Sequence, residues 1–246
     1  MADLGFGLGF GPSVPVQTRN IYTFALASLQ AGQESLNVLG GDLKASAANR
    51  SQLSDRGAAT PMGAPIVNAR WLGLKTGSNY LDLPFGDFEE MTLMAIARST
   101  DLNTSAAAQP VLVGTSDGTP SGASLYVGSA TSHRTIAYYA GGNAMGSNVP
   151  GAGLNSWSVL VSRVGATGPV GVKTKNMLDG DEGAGVNTGA RVLGGHLKIG
   201  GGPGSSFGGT SDIAFVAVWS RQLSDAEIDA AYAQLKPEYA SYGIPI

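Results

Sequence analysis

Cysteine is absent from this 246-residue chain, which excludes disulfide staples and thiolate metal sites and fits synthesis in a reducing cytoplasm. Charge is scarce too. Only 13% of residues are charged and the net charge is -3, so there is no basic surface to condense on nucleic acid or anionic lipid, and neither is expected as a partner. No apolar run approaches the roughly 20 residues of a membrane span, so membrane insertion is not expected. The first basic residue is Arg19, which leaves no charged region ahead of an apolar stretch, and no signal peptide is expected. Stability must therefore come from packing, for which 43% hydrophobic side chains suffice in one sandwich-sized domain.

Glycine is what the chain has in excess: 37 residues, scattered without period, which excludes collagen and favours tight turns between short strands. At the start, LGFGLGFGPSVPV alternates glycine with Leu4, Phe6, Leu8 and Phe10 before Pro12 and Pro15. Such a segment cannot be helical, yet its side chains need a surface. Two readings stand: a tail packed on its own domain, or an assembly arm that docks on a neighbouring subunit or larger particle. The expected organisation is an extended arm over 1–20 and a β-sandwich domain over 21–246.

Residues 19 to 65 should supply an edge strand and a long surface excursion. From there strands follow at Arg70 to Leu74, in YLDLP with Leu81 and Leu83 on one face, and in MTLMAIAR from Met91 to Arg98, which is apolar on both faces and therefore central. Further strands are expected at Val111 to Gly114, Ser124 to Val127, Thr135 to Tyr139, Trp157 to Val164 and Val170 to Thr174, punctuated by turn signals. Gly194 to Leu235 reads as a glycine-rich loop, a strand ending at Trp219 and a capped helix. There Ser224 and Glu227 form a capping box, Ile228, Ala231, Tyr232 and Leu235 share one face, and Pro237 is expected to end the helix.

That closing run, through Ile199, Gly200, Phe207, Gly208, Gly209, Asp212, Ile213, Trp219, Arg221, Leu223, Ser224, Asp225, Glu227 and Ile228, resembles the end of the concanavalin-A-like, laminin-G-type jelly roll. YLDLP, FEEMTL, LNSWSVLVSR and VGVKT resemble strands of the same family, so the likeness covers roughly Trp71 to Leu235. Where the family usually has a histidine pair after the tryptophan, Ser158 and Val159 stand. The resemblance implies an all-β fold: an antiparallel β-sandwich of jelly-roll, concanavalin-A-like type with one short C-terminal helix.

Candidate chemistry is thin. GTSDG at Gly114 to Gly118 matches the nucleophile elbow in spelling, but Pro120 and Gly122 follow and lead into a strand, where the elbow needs a helix. No E-x-D-x-E strand places two carboxylates on one face for glycoside hydrolysis, and Glu89 and Glu90 are adjacent and would point apart. Asp179, Asp181 and Glu182 lie among glycines, where no rigid strand would hold them. For calcium, Asp179 and Asp181 in LDGDEG and Asp117 offer loop oxygens, with Asp87 as a further candidate; the spacing fails the helix-loop-helix pattern, and a solvated acidic turn is the favoured explanation. No cofactor is required, and calcium is the one metal left open. The glycine runs lack the lysine and register of phosphate cradles.

Sugar binding needs an exposed aromatic beside amide or carboxylate groups. Trp71, Trp157 and Trp219 sit in strand patterns and are expected in the core. Tyr126, His133, Tyr138, Tyr139 and Asn143 are the better carbohydrate-binding candidates, although ordinary surface tyrosines would look the same. The expectation is a non-enzymatic protein similar to phage virion components that carry such domains on tails, fibres or capsid surfaces. It would be made in the host cytoplasm and resident in the virion, with other virion subunits and copies of itself as partners and host-surface glycan as ligand. The alternative is a bacterial carbohydrate-binding or adhesion protein, and a glycan hydrolase comes third.

Overall fold

The computed structural model describes Leu26, residues 29–101, 108–115, 120–129, 131–148, 153–166, 171–202 and 207–246. The arm residues Leu4, Phe6, Leu8 and Phe10, and also Asp117 and Ser116, lie outside this set. In chain order the first elements are β1 (Gln33–Val38), α1 (Leu43–Ala47), β2 (Thr60–Met62), β3 (Ile66–Val67), β4 (Leu72–Lys75), β5 (Tyr80–Gly86), β6 (Met91–Ser99) and β7 (Val111–Gly114). Then come β8 (Ala123–Ser129), β9 (Ser132–Tyr139), β10 (Gly142–Asn148), β11 (Ser158–Val164), β12 (Val172–Asn176), β13 (Glu182–Gly185), β14 (His196–Ile199), β15 (Thr210–Trp219) and α2 (Asp225–Ser241).

Two antiparallel sheets face each other. One has eight strands in the order β13-β12-β11-β6-β15-β4-β3, with β1 also paired to β15; the other has seven, β10-β9-β8-β7-β14-β5-β2. β6 lies between β11 and β15 and is buried along nearly its whole length. Strand alternation explains its composition: Met91, Leu93, Ala95 and Ala97 face the core between the sheets, while Met94 and Ile96 face a second apolar layer on the other side. In β15 the register slips between Ile213 and Phe215, so Ala214 and Phe215 both join the outer layer before alternation resumes with Val216 inward and Ala217 outward.

The helix α2 covers that outer layer with Ile228, Ala231, Leu235 and Tyr239. Its start is local chemistry: the Glu227 backbone N–H donates to Ser224 Oγ at 3.3 Å, and the Ser224 N–H donates to Glu227 Oε2 at 2.8 Å. Arg221 grips the same carboxylate through two bonds of 3.2 and 2.7 Å, and with the Ser224 amide it holds the Glu227 pKa down at about 2. Pro237 does not end the helix, which continues to Ser241. Proline removes one intrahelical bond, but Tyr239 beyond it is buried edge-on against Phe215 at 6.4 Å and donates its hydroxyl to Ala214 O at 3.3 Å, so tertiary packing carries the last turn. Tyr232 is only half-buried at the edge of the layer.

Trp219 is fully buried, with its indole N–H donating to Leu29 O at 2.7 Å, and Trp157 is buried as well. Trp71 departs from the core expectation. It is half-exposed, edge-on to Trp157 at 5.7 Å, and the Arg98 guanidinium lies over both rings while pairing with Asp212 at 2.7 Å. Among the described residues no helix is long and apolar enough to cross a membrane.

Candidate functional site

β9 and β10 form a hairpin on the edge of the seven-stranded sheet, turning through Ala140 and Gly141. Gly141 at φ 92° and Gly142 at φ 148° take a conformation that side chains rarely adopt. In the ladder Tyr138 is paired directly with Asn143, so the two residues share one face with their Cβ atoms about 5 Å apart. Alternation along β9 puts Tyr139 on the opposite face, in the core between the sheets. The half-exposed Tyr138 and the exposed Asn143 border a shallow depression of about 470 Å³ completed by Pro120, Ala140 and Val192.

Beneath it the chain is locked. Val192 N–H donates to Tyr138 O at 3.0 Å, and Tyr138 N–H donates to Gly122 O at 3.0 Å. Arg191 Nη1 adds bonds of 3.1 Å to both carbonyls, and its Nη2 meets Asp87 Oδ2 at 2.7 Å, with the two side chains only 1% and 0% exposed. Asp87 Oδ1 accepts from Gly194 N–H at 2.7 Å. Burial pushes the Asp87 pKa up, while Arg191 and the Gly194 amide pull against it. The Arg191 guanidinium also lies 5.5 Å from the centre of the Tyr139 ring.

The sugar-site candidates therefore divide. Tyr138 and Asn143 come together at the surface, whereas Tyr126 and His133 are buried away from the depression and Tyr139, which also lines it, is itself buried. Tyr126 is on the outer face, but Phe207 covers it at 4.7 Å and Ile136 packs beside it. Tyr139 spends its hydroxyl on Gly165 O and Gly171 O at 2.8 and 2.7 Å, and burial raises its pKa. His133 is fully buried, and desolvation lowers its pKa to about 4, against the pull of Asp179.

Asp87, Asp179 and Asp181, the metal candidates among the described residues, do not converge. Asp179 accepts from Asn176 Nδ2 at 3.2 Å and from the Asp181 N–H at 3.2 Å, which makes it the organiser of the turn between β12 and β13. Glu182 does sit on a strand, contrary to the reading of a loose acidic turn: it starts β13 and pairs with Arg163 and Lys173 at 3.2 and 2.8 Å. Asp87 is engaged by Arg191 and offers no loop oxygen to solvent. Among the described residues no group of three His, Asp or Glu side chains could hold a metal ion. β7 and β8, which flank the GTSDG segment, pair antiparallel through Gly114 and Ser124, and the next element described after β7 is a strand where a nucleophile elbow needs a helix.

Arg191 and Val192 were not among the residues singled out from the sequence. Nothing local marks an arginine whose carboxylate partner lies 104 residues away.

No protein-family model matches the chain, and no curated protein does. Solved structures do. The serotype D binding domain of botulinum neurotoxin superposes with a TM-score of 0.61 at 12% identity, covering 86% of this chain and 53% of that one. A structure of botulinum neurotoxin type C, whose cell entry is described as dependent upon interaction with two ganglioside molecules, gives 0.59 at 9% identity over 85% and 53%. The binding domain of neurotoxin DC in complex with SialylT gives 0.61 at 10% over 84% and 52%. This chain thus spans about half the length of the chains it matches, and at such identity the likeness is one of fold, an antiparallel β-sandwich.

Proposed function

We propose that this chain is a non-enzymatic glycan-binding β-sandwich, mounted on a virion as a component of a phage tail, fibre or capsid surface. The observation that carries the glycan half is the direct cross-strand pairing of Tyr138 with Asn143, both of which line one depression. An aromatic ring covers the apolar face of a sugar, and an amide both donates to and accepts from its hydroxyls. Depth is limited, so single-site affinity is weak and useful binding comes from several copies acting together. Binding domains of the same fold, some described with ganglioside or SialylT, support a surface-glycan ligand. The virion half rests on the glycine and phenylalanine arm, whose side chains need a partner surface.

A glycan array followed by titration of the best ligand tests the first half. Tyr138→Ala and Asn143→Ala are each expected to weaken binding at least tenfold with an unchanged melting temperature; full binding by both variants would remove the depression from consideration. Antibody labelling of purified particles tests the second half. Label found only in particle-free fractions would transfer the protein to the bacterial adhesion class.

A further inference from the structure

A second cleft, of about 540 Å³, opens where the end of β1 meets the C-terminal turn; Val38, Gly40, Asp42, Arg50, Arg70 and Tyr242 line it. Its size falls in the range of small-molecule sites. Arg70 is exposed, and its guanidinium carbon lies over the Tyr242 ring at 3.9 Å from its centre, within cation–π range. Among the described residues no carboxylate lies within salt-bridge distance of Arg70.

Arg50 brings a second guanidinium to the same cleft, with Nη2 donating to Ala45 O at 3.5 Å. The one acidic side chain, Asp42, is turned to the Ala45 N–H at 2.6 Å as the cap of α1. Of the three charged side chains that line the cleft, two are cationic, on a chain whose net charge is -3. Its walls are fixed in advance. Gly40, at φ 113°, presses so closely on the Arg70–Trp71 backbone that an added Cβ would stand 2.4 Å from Trp71 N, and Gly41 N–H donates to Asn68 O at 2.8 Å. Tyr242 is held from its other side by Tyr239, edge-on at 5.9 Å.

We propose that this cleft is a binding site for an oxyanion, either the carboxylate of an acidic sugar or a phosphate group, gripped by Arg70. Charge-assisted bonds from a guanidinium already stacked in place cost little ordering on binding. The site goes beyond the Tyr138 depression and does not depend on it.

The test titrates the full chain with methyl glucuronoside, methyl glucoside and inorganic phosphate, followed by NMR at low and at physiological salt. The glucuronoside is expected to bind and the neutral glucoside not to shift the Arg70 and Tyr242 signals. Arg70→Ala should weaken anion binding at least tenfold, Arg70→Lys severalfold because the flat stack is lost, and Tyr138→Ala not at all. Phosphate that displaces the glucuronoside with the same Arg70 dependence assigns the site to phosphate groups; failure of phosphate to compete assigns it to acidic sugars. Absence of binding by either anion, or binding unchanged in Arg70→Ala, overturns the proposal and leaves the glycan reading of the Tyr138 depression standing.

Discussion

The guanidinium of Arg191 meets the carboxylate of Asp87 at 2.7 Å with both side chains sealed from solvent, and the same guanidinium holds the Tyr138 carbonyl in place. A buried pair gains little over a well-packed apolar pair, yet losing one partner strands a charge. Arg191→Ala is therefore expected to cost about 3–5 kcal/mol in urea unfolding, and the double variant Asp87→Leu with Arg191→Met to recover most of that loss. A single-variant cost below about 1 kcal/mol would show that water reaches the pair once it is broken.

The helix α2 offers a comparison within one element. Tyr239 is buried against Phe215 beyond Pro237, whereas Tyr232 lies half-buried at the edge of the layer. Tyr239→Ala is expected to cost about 3–5 kcal/mol and Tyr232→Ala clearly less. Equal losses in thermal unfolding would mean that the helix is held along its middle and not by its last turn.

Those two tyrosines show what a linear reading can reach. The capping box of Ser224 and Glu227 is a three-residue rule, and β6 reveals its central place because both of its faces are apolar, so both were open to inspection in the sequence. Adjacent Tyr138 and Tyr139 must point to opposite faces of a strand, but which face is covered depends on β12 and on the segment around Arg191, distant in the chain. His133 and Thr135 share the inward face with Ala137 and Tyr139, and a polar pair there invites an outward assignment; Thr174 on the opposite sheet, bonded to Thr135 at 2.8 Å, is what makes the burial of Thr135 tolerable. Pro237 is a stop signal locally and is overruled only by the pocket that receives Tyr239.

His133 gives a pH dependence whose sign follows from burial. Its pKa falls from 6.5 to about 4 on folding, so between these values the unfolded chain takes up a proton that the folded chain refuses. Stability is then complete above about pH 6.5 and declines as pH drops towards 4, by about 1.4 kcal/mol per pH unit at most. Both ring nitrogens lack a hydrogen-bond partner among the described residues, so His133→Leu removes two unsatisfied groups along with the titration. Urea unfolding of this variant should show a flatter profile over that window and no loss at pH 7. A wild-type slope retained in His133→Leu would assign the dependence to other groups.

The glycine-alternating segment at the start of the chain can be tested by deletion. Among the described residues, one sheet covers the other, and α2 with Leu26 and Leu29 packs on the outer face of the eight-stranded sheet. Leu4, Phe6, Leu8 and Phe10 alternate with glycine and lie outside the described residues. An extended glycine-alternating chain can approach another backbone closely while its side chains enter shallow pockets, and burying four of them contributes on the order of 6 kcal/mol before ordering costs. Deleting residues 2–16 is therefore expected to leave the melting temperature within about 2 °C of the parent, because the packed layers stay intact, and to abolish self-association or particle association in sedimentation. A truncated chain that unfolds would place the arm inside the domain's own packing and take away the support it lends to a virion role.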